Sequence, residues 1–105
     1  MIARIWRGVT RAAHADEYLA YLNATGLPAY RATPGNRGVR VLRRITGAGD
    51  DAQAEFILIS LWESWDAIRR FAGDEVEKAV YYPEDTRYLL ALEPTVTHYE
   101  VVYDA

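Results

Sequence analysis

The side chains able to do chemistry in this sequence are two histidines, eight tyrosines, three tryptophans and a run of arginines. His98 stands in Thr97-His98-Tyr99-Glu100, inside a stretch with the pattern of a buried strand. An imidazole in an apolar cavity titrates near neutral pH and can remove a proton as a general base. The plainer alternative is a core histidine bonded to a neighbour. His14, beside Asp16 and Glu17, reads as solvated. The two histidines lie far apart and form no local metal motif, so no metal is expected. The chain has no cysteine, which excludes a thiolate nucleophile, a thiolate metal site and a disulfide scaffold. It has no glycine-rich phosphate loop, no nucleophile elbow and no His-Glu-x-x-His.

Aromatic residues are the second signal, because tyrosine and tryptophan far outnumber the two phenylalanines. Such rings bring a polar handle to an apolar wall and suit either a pocket for a planar ligand or an interface. Trp6, Trp62, Trp65, Tyr81 and Tyr82 are the expected wall pieces. Asn36, in Pro34-Gly35-Asn36-Arg37-Gly38, reads as a turn residue or as a hydrogen bonder at a pocket rim. Arg40, Arg43 and Arg44 fall on both sides of one strand. At least one of them should face the covered side, where it needs Glu55, Glu63, Glu100 or an anionic substrate as partner.

The elements that must position these residues fit one domain, residues 1–105, since the chain is 50% apolar and 26% charged. No apolar run approaches the ~20 residues that span a bilayer. The start, with Arg4 and Arg7 and no small-residue cleavage site, does not read as a signal peptide, and a cytoplasmic location is expected. Net charge is −3, divided as +4 over residues 1–52 and −7 over residues 53–105. That balance and the lack of a dense basic stripe argue against nucleic acid. Basic and acidic surfaces that pair within the fold or across a dimer account for the asymmetry.

Periodicity predicts a strand over residues 2–9 and a helix capped by Thr10, with Ala15, Tyr18, Leu19 and Leu22 inward and Gly26 as its stop. Strands follow at 39–46 and 54–62. In the latter, Phe56, Leu58, Ser60 and Trp62 face one way and Ile57, Ile59 and Leu61 the other. Both faces are largely apolar, so a second copy of the chain is the expected cover for the second. Ser64 is the predicted cap of a helix ended by Gly73. Asp74 and Glu77 form a capping-box pattern that would restart it, and Pro83 suits a further first turn. A strand over 95–103 completes the order βαββαβ. That order predicts a ferredoxin-like α+β fold: a four-stranded antiparallel sheet with helices on one face, paired as a homodimer.

The segments Leu61-Trp62-Glu63-Ser64, Ala67-Ile68-Arg69-Arg70-Phe71 and Thr97-His98-Tyr99-Glu100-Val101 resemble the antibiotic biosynthesis monooxygenase superfamily of dimeric α+β barrels. The segments around Asn36 and Tyr81 are similar to those of a bacterial subgroup of it. The resemblance runs nearly the whole length and implies fold and dimer more than chemistry. Trp62 matches a tryptophan lining the pocket in quinone-forming anthrone oxidases and in haem-degrading members. The asparagine that the oxidases carry four residues earlier is Leu58 here, and their tyrosine six residues later is Ile68. Haem-degrading members place an axial histidine at a position matched by Tyr81, which disfavours histidine-ligated haem and leaves tyrosinate as a ligand.

The leading expectation is a monooxygenase that works without a cofactor on a phenol or anthrone. His98 removes a proton, Tyr81 and Tyr82 donate to the substrate oxygen, Trp62 and Trp6 stack on the ring, and Asn36 and Arg40 assist. The rival expectations are a protein that binds or degrades haem or another hydrophobic ligand, and a cofactor-free isomerase or lyase.

Overall fold

The computed structural model describes residues 1–105. The chain runs β1 (Ile2–Arg11), α1 (Ala15–Ala24), α2 (Gly26–Ala32), β2 (Asn36–Thr46), β3 (Gln53–Trp62), α3 (Trp65–Ala72), α4 (Asp85–Tyr88) and β4 (Thr97–Glu100). The four strands form one sheet in the order β2-β3-β1-β4, with every neighbouring pair antiparallel. This is the ferredoxin-like arrangement that the βαββαβ order predicts.

Side-chain alternation sorts the two central strands. Arg4, Trp6, Gly8 and Thr10 of β1 and Ala54, Phe56, Leu58, Ser60 and Trp62 of β3 are buried under the helices. The odd-numbered residues Ile5, Ile57, Ile59 and Leu61 lie on the other face and are only half-buried. Leu42 of β2 pairs in register with Ile57 and extends that face. So the sheet has one covered face and one open apolar face, as a strand apolar on both sides requires. Charged groups frame the open face: Glu55 accepts from Arg7 Nε at 2.5 Å and from Arg44 Nε at 2.6 Å.

Local sequence explains several boundaries. The Ser64 hydroxyl accepts from the Ala67 N–H at 3.1 Å, so it caps α3 as its position predicts. Gly73 ends that helix with φ +84°, a conformation that side chains with a Cβ resist. Other boundaries differ from expectation. Thr10 does not cap a helix: β1 continues through it to Arg11, because Thr10 has Ala54 of β3 as partner and is fully buried. Gly26 opens α2 rather than ending α1, since Thr25 already breaks the helix and turns its hydroxyl back onto Tyr21 O at 2.7 Å.

The largest departure is the segment 73–96. No helix restarts at Asp74, and α4 is a single turn. The segment instead folds as a strap across the mouth of the sheet–helix layer, clipped to itself by Ala79 N–H to Pro94 O and Val96 N–H to Glu77 O. That use of Thr95 and Val96 shortens the last strand to Thr97–Glu100. Beyond Glu100 the pairing ends with one backbone bond, from Val101 N–H to Met1 O at 3.0 Å, because Glu100 already pairs with Ile2 at the start of β1. Replacing Ser64 with Ala should cost about 1 kcal/mol through the lost cap. Urea unfolding should show it as a lower midpoint with an unchanged slope.

Candidate functional site

The strap closes a pocket against the covered face of the sheet. Its walls are rings: Trp6 from β1, Tyr18 from α1, Tyr30 from α2, and Tyr81 and Tyr82 from the strap, with Leu22, Leu58, Val80 and Val96 between them. Two charged residues share the lining. Arg4 is 2% exposed and Asp85 4% exposed. The free space inside is about 20 Å³, close to what one ordered water needs. With the space open to solvent included the volume is about 400 Å³, within the range of small-molecule sites.

Gly8 makes the Trp6 position available. The indole lies back along β1 over Gly8, where a Cβ would sit 2.2 Å from the Trp6 ring. In that position Trp6 Nε1 donates to the Tyr81 hydroxyl at 3.2 Å, and Tyr81 in turn donates to Glu93 O at 2.6 Å. The two rings meet edge to face at 6.3 Å. Tyr82 is fixed from its backbone, whose N–H donates to Asp85 Oδ2 at 2.5 Å. Burial raises the pKa of both strap tyrosines, which keeps the phenols neutral, and raises that of Asp85 against the lowering effect of the Tyr82 N–H.

Of the residues singled out from the sequence, the structure therefore brings Trp6, Tyr81 and Tyr82 together around one pocket. It places the others elsewhere. Trp62 is fully buried behind the pocket, with its Nε1 donating to Ser60 Oγ at 2.9 Å and its ring beside Phe71 and Tyr30. Asn36 holds the irregular start of β2, accepting from Gly38 N–H at 3.1 Å and donating to Leu61 O at 3.2 Å. Arg40 lies in register with Ile59 on the open face of the sheet. Arg43 is the arginine that faces the helices, and it finds Asp16 at 2.8 Å, a partner outside the expected set.

His98 pairs in register with Arg4 at the β4 edge and is not part of the pocket lining. Its Nε2 lies 3.2 Å from Arg4 Nη1. A guanidinium has only donors, so the imidazole accepts there, which requires the neutral tautomer protonated at Nδ1. The lone pair a base would use is thus directed at a cation. The edge of Trp65 covers the ring at 5.0 Å. Sequence reasoning missed Arg4, Tyr18, Tyr30 and Asp85 as pocket residues. Only Tyr18 carried a signal, as a member of the inward stripe of α1.

No protein-family model matches the chain, and no curated protein matches it. Solved structures do. MhuD from Mycobacterium tuberculosis, a heme-degrader determined with two hemes in its active site, aligns over 100% of this chain and 99% of its own at TM-score 0.57 and 21% identity. An arginine-to-serine variant of MhuD with two manganese protoporphyrin IX per active site aligns over 100% and 98% at TM-score 0.60 and 21% identity. The chain shares their fold. It is the fold that the resemblance to the antibiotic biosynthesis monooxygenase superfamily implies. One expectation is corrected by these structures: both hold porphyrin in the active site of this fold, against a site that needs no cofactor. No helix of the chain is long and apolar enough to cross a membrane.

The His98 geometry sets a pH dependence. Burial, and after it the Arg4 cation, lower the pKa of His98 below 6.5, against a smaller opposing pull from Glu77. Below pH 6.5 the unfolded chain therefore binds the proton more readily than the folded one. Stability should fall as pH drops through that window to the lowered value, with no effect above it. Urea midpoints measured from pH 7.5 to 5 should decline, and His98→Gln should flatten the decline.

Proposed function

We propose that the pocket under the strap receives a planar tetrapyrrole and that the chain is a haem-binding or haem-degrading protein. The observation that carries this reading is the ring-lined pocket itself: five aromatic side chains on the covered face of a fold that holds porphyrins in solved relatives. Flat π faces and few polar groups suit the macrocycle. The free space is that of a closed strap, far smaller than a tetrapyrrole, so binding requires the strap to move outward. The strap is suited to that, being held mainly by turns and a few backbone bonds rather than by a ladder.

The donor set fits an oxygen-ligated metal. No imidazole lines the pocket, and the phenols of Tyr81 and Tyr82 belong to the strap. Tyr81 would be the iron ligand, a role that needs loss of its proton, which burial opposes in the closed form. When bound, haem iron would supply the redox chemistry. The protein's own part would be to exclude water and to fix the ring plane, and outward movement of the strap would free the Tyr81 oxygen from the bond that Trp6 makes to it in the closed form.

Haemin titration should give a saturable complex with a shifted Soret band, and Tyr81→Phe should remove the spectral signature of phenolate ligation while Tyr82→Phe keeps it. Absence of a saturable complex overturns the reading. Ascorbate under air then separates the two roles, since a decaying Soret band indicates degradation and a stable one binding. For the open sheet face, we propose a second copy of the chain as cover, supported by the apolar patch of Ile5, Leu42, Ile57, Ile59 and Leu61. Light scattering should return twice the 11.9 kDa chain mass, and Ile59→Asp should return a single chain.

A further inference from the structure

Arg4 presents an unusual electrostatic situation. It is buried on a central strand, yet no carboxylate forms an ion pair with it. Its guanidinium donates to the backbone carbonyl of Val76, to Lys78 O at 2.9 Å and to His98 Nε2 at 3.2 Å, all neutral acceptors. The Phe71 ring lies 5.8 Å from the guanidinium carbon, and a buried cation satisfied by dipoles and one ring face is left short of charge compensation. The Arg4 Nε makes no hydrogen bond and is not sealed from solvent, and the residue belongs to the pocket lining.

The Tyr30 hydroxyl is the second unspent donor. It too lacks a protein partner, is not sealed, and belongs to the same lining. The two groups face one another electrostatically: burial raises the Tyr30 hydroxyl to about 12, while Arg4 acts to lower it. Asp85, the other charged residue of the lining, acts on Tyr18, Tyr81 and Tyr82 rather than on Arg4. The Arg4 end of the pocket thus offers a cation and a hydroxyl donor with no carboxylate in contact; Glu77 acts on Arg4 only from beyond ion-pair distance.

We propose that Arg4 and Tyr30 form an anion subsite that takes a carboxylate carried by a planar aromatic ligand. The guanidinium supplies charge and a hydrogen bond, the hydroxyl a second hydrogen bond, and the surrounding rings the low-dielectric wall that strengthens both. The ligand's ring system then lies toward Trp6 and Tyr81. This rests on the pocket being the ligand site proposed above, but not on the ligand being a tetrapyrrole.

Calorimetric titration of the full chain with 2-naphthoate and with 2-naphthamide tests it, because the two probes differ only in the charged group. The wild-type chain should prefer the carboxylate by about tenfold or more. Tyr30→Phe should reduce that preference several-fold and Arg4→Gln should abolish it. Equal affinity for the two probes, no binding of either at millimolar concentration, or a preference that survives Arg4→Gln overturns the subsite. If Arg4→Gln does not fold by circular dichroism, an unchanged preference in Tyr30→Phe overturns it. Haemin and its dimethyl ester separate this failure from that of the haem reading. Equal binding of both removes the subsite and keeps haem. No haemin complex with the naphthoate preference intact removes haem and keeps the subsite.

Discussion

A guanidinium buried on the second residue in from the start of β1 ties this molecule together. Arg4 reaches from the centre of the sheet to two carbonyls of the strap and to the imidazole of β4. Desolvation of a cation is costly, and hydrogen bonds to dipoles offset only part of that cost. The arrangement persists because each partner is also satisfied by it: two strap carbonyls would otherwise be stranded above an apolar layer. The strap, the pocket that it closes and the lowered pKa of His98, which burial sets first, all meet at this one residue.

The pocket beneath is built from tyrosine where a plain core would use phenylalanine. Rings of this kind fill space as phenylalanine does but leave hydroxyls at the cavity surface. Four of the oxygens are held as neutral phenols by burial on the pocket wall: Tyr18, Tyr30, Tyr81 and Tyr82. Trp6 adds one donor and spends it on Tyr81. The result is a wall that is apolar to a ring system and polar at a few fixed points, which is the general form of a small-molecule site.

The sheet was legible because period-two alternation is a strong signal. The residues of β3 that the pattern assigned to opposite faces are on opposite faces. Ser64 and Gly73 were legible because a cap and a positive φ depend on one residue each. The strap was not, since the Asp74–Glu77 pattern is a local preference that closure over the sheet overrides, and loops carry no period. Arg4 was unreadable for a related reason. An arginine near the start of a strand looks solvated until the chain beyond residue 73 returns to cover it. The register that turns His98 toward Arg4 depends on which residue of β4 meets β1, and a slip of one residue reverses that face. Among the aromatic candidates, Trp6 and the strap tyrosines meet in one pocket whereas Trp62 backs it. Composition cannot distinguish a ring that lines a cavity from one that supports the lining.

The pairing of β1 with β4 joins the first strand of the chain to the last. During synthesis β2 and β3 can meet as a local hairpin, but the strap has nothing to cover and β4 does not yet exist. Contacts of such sequence separation are also slow to form in the free chain, because loop closure must precede them. The nascent protein therefore carries its aromatic layer uncovered until the strap and β4 emerge.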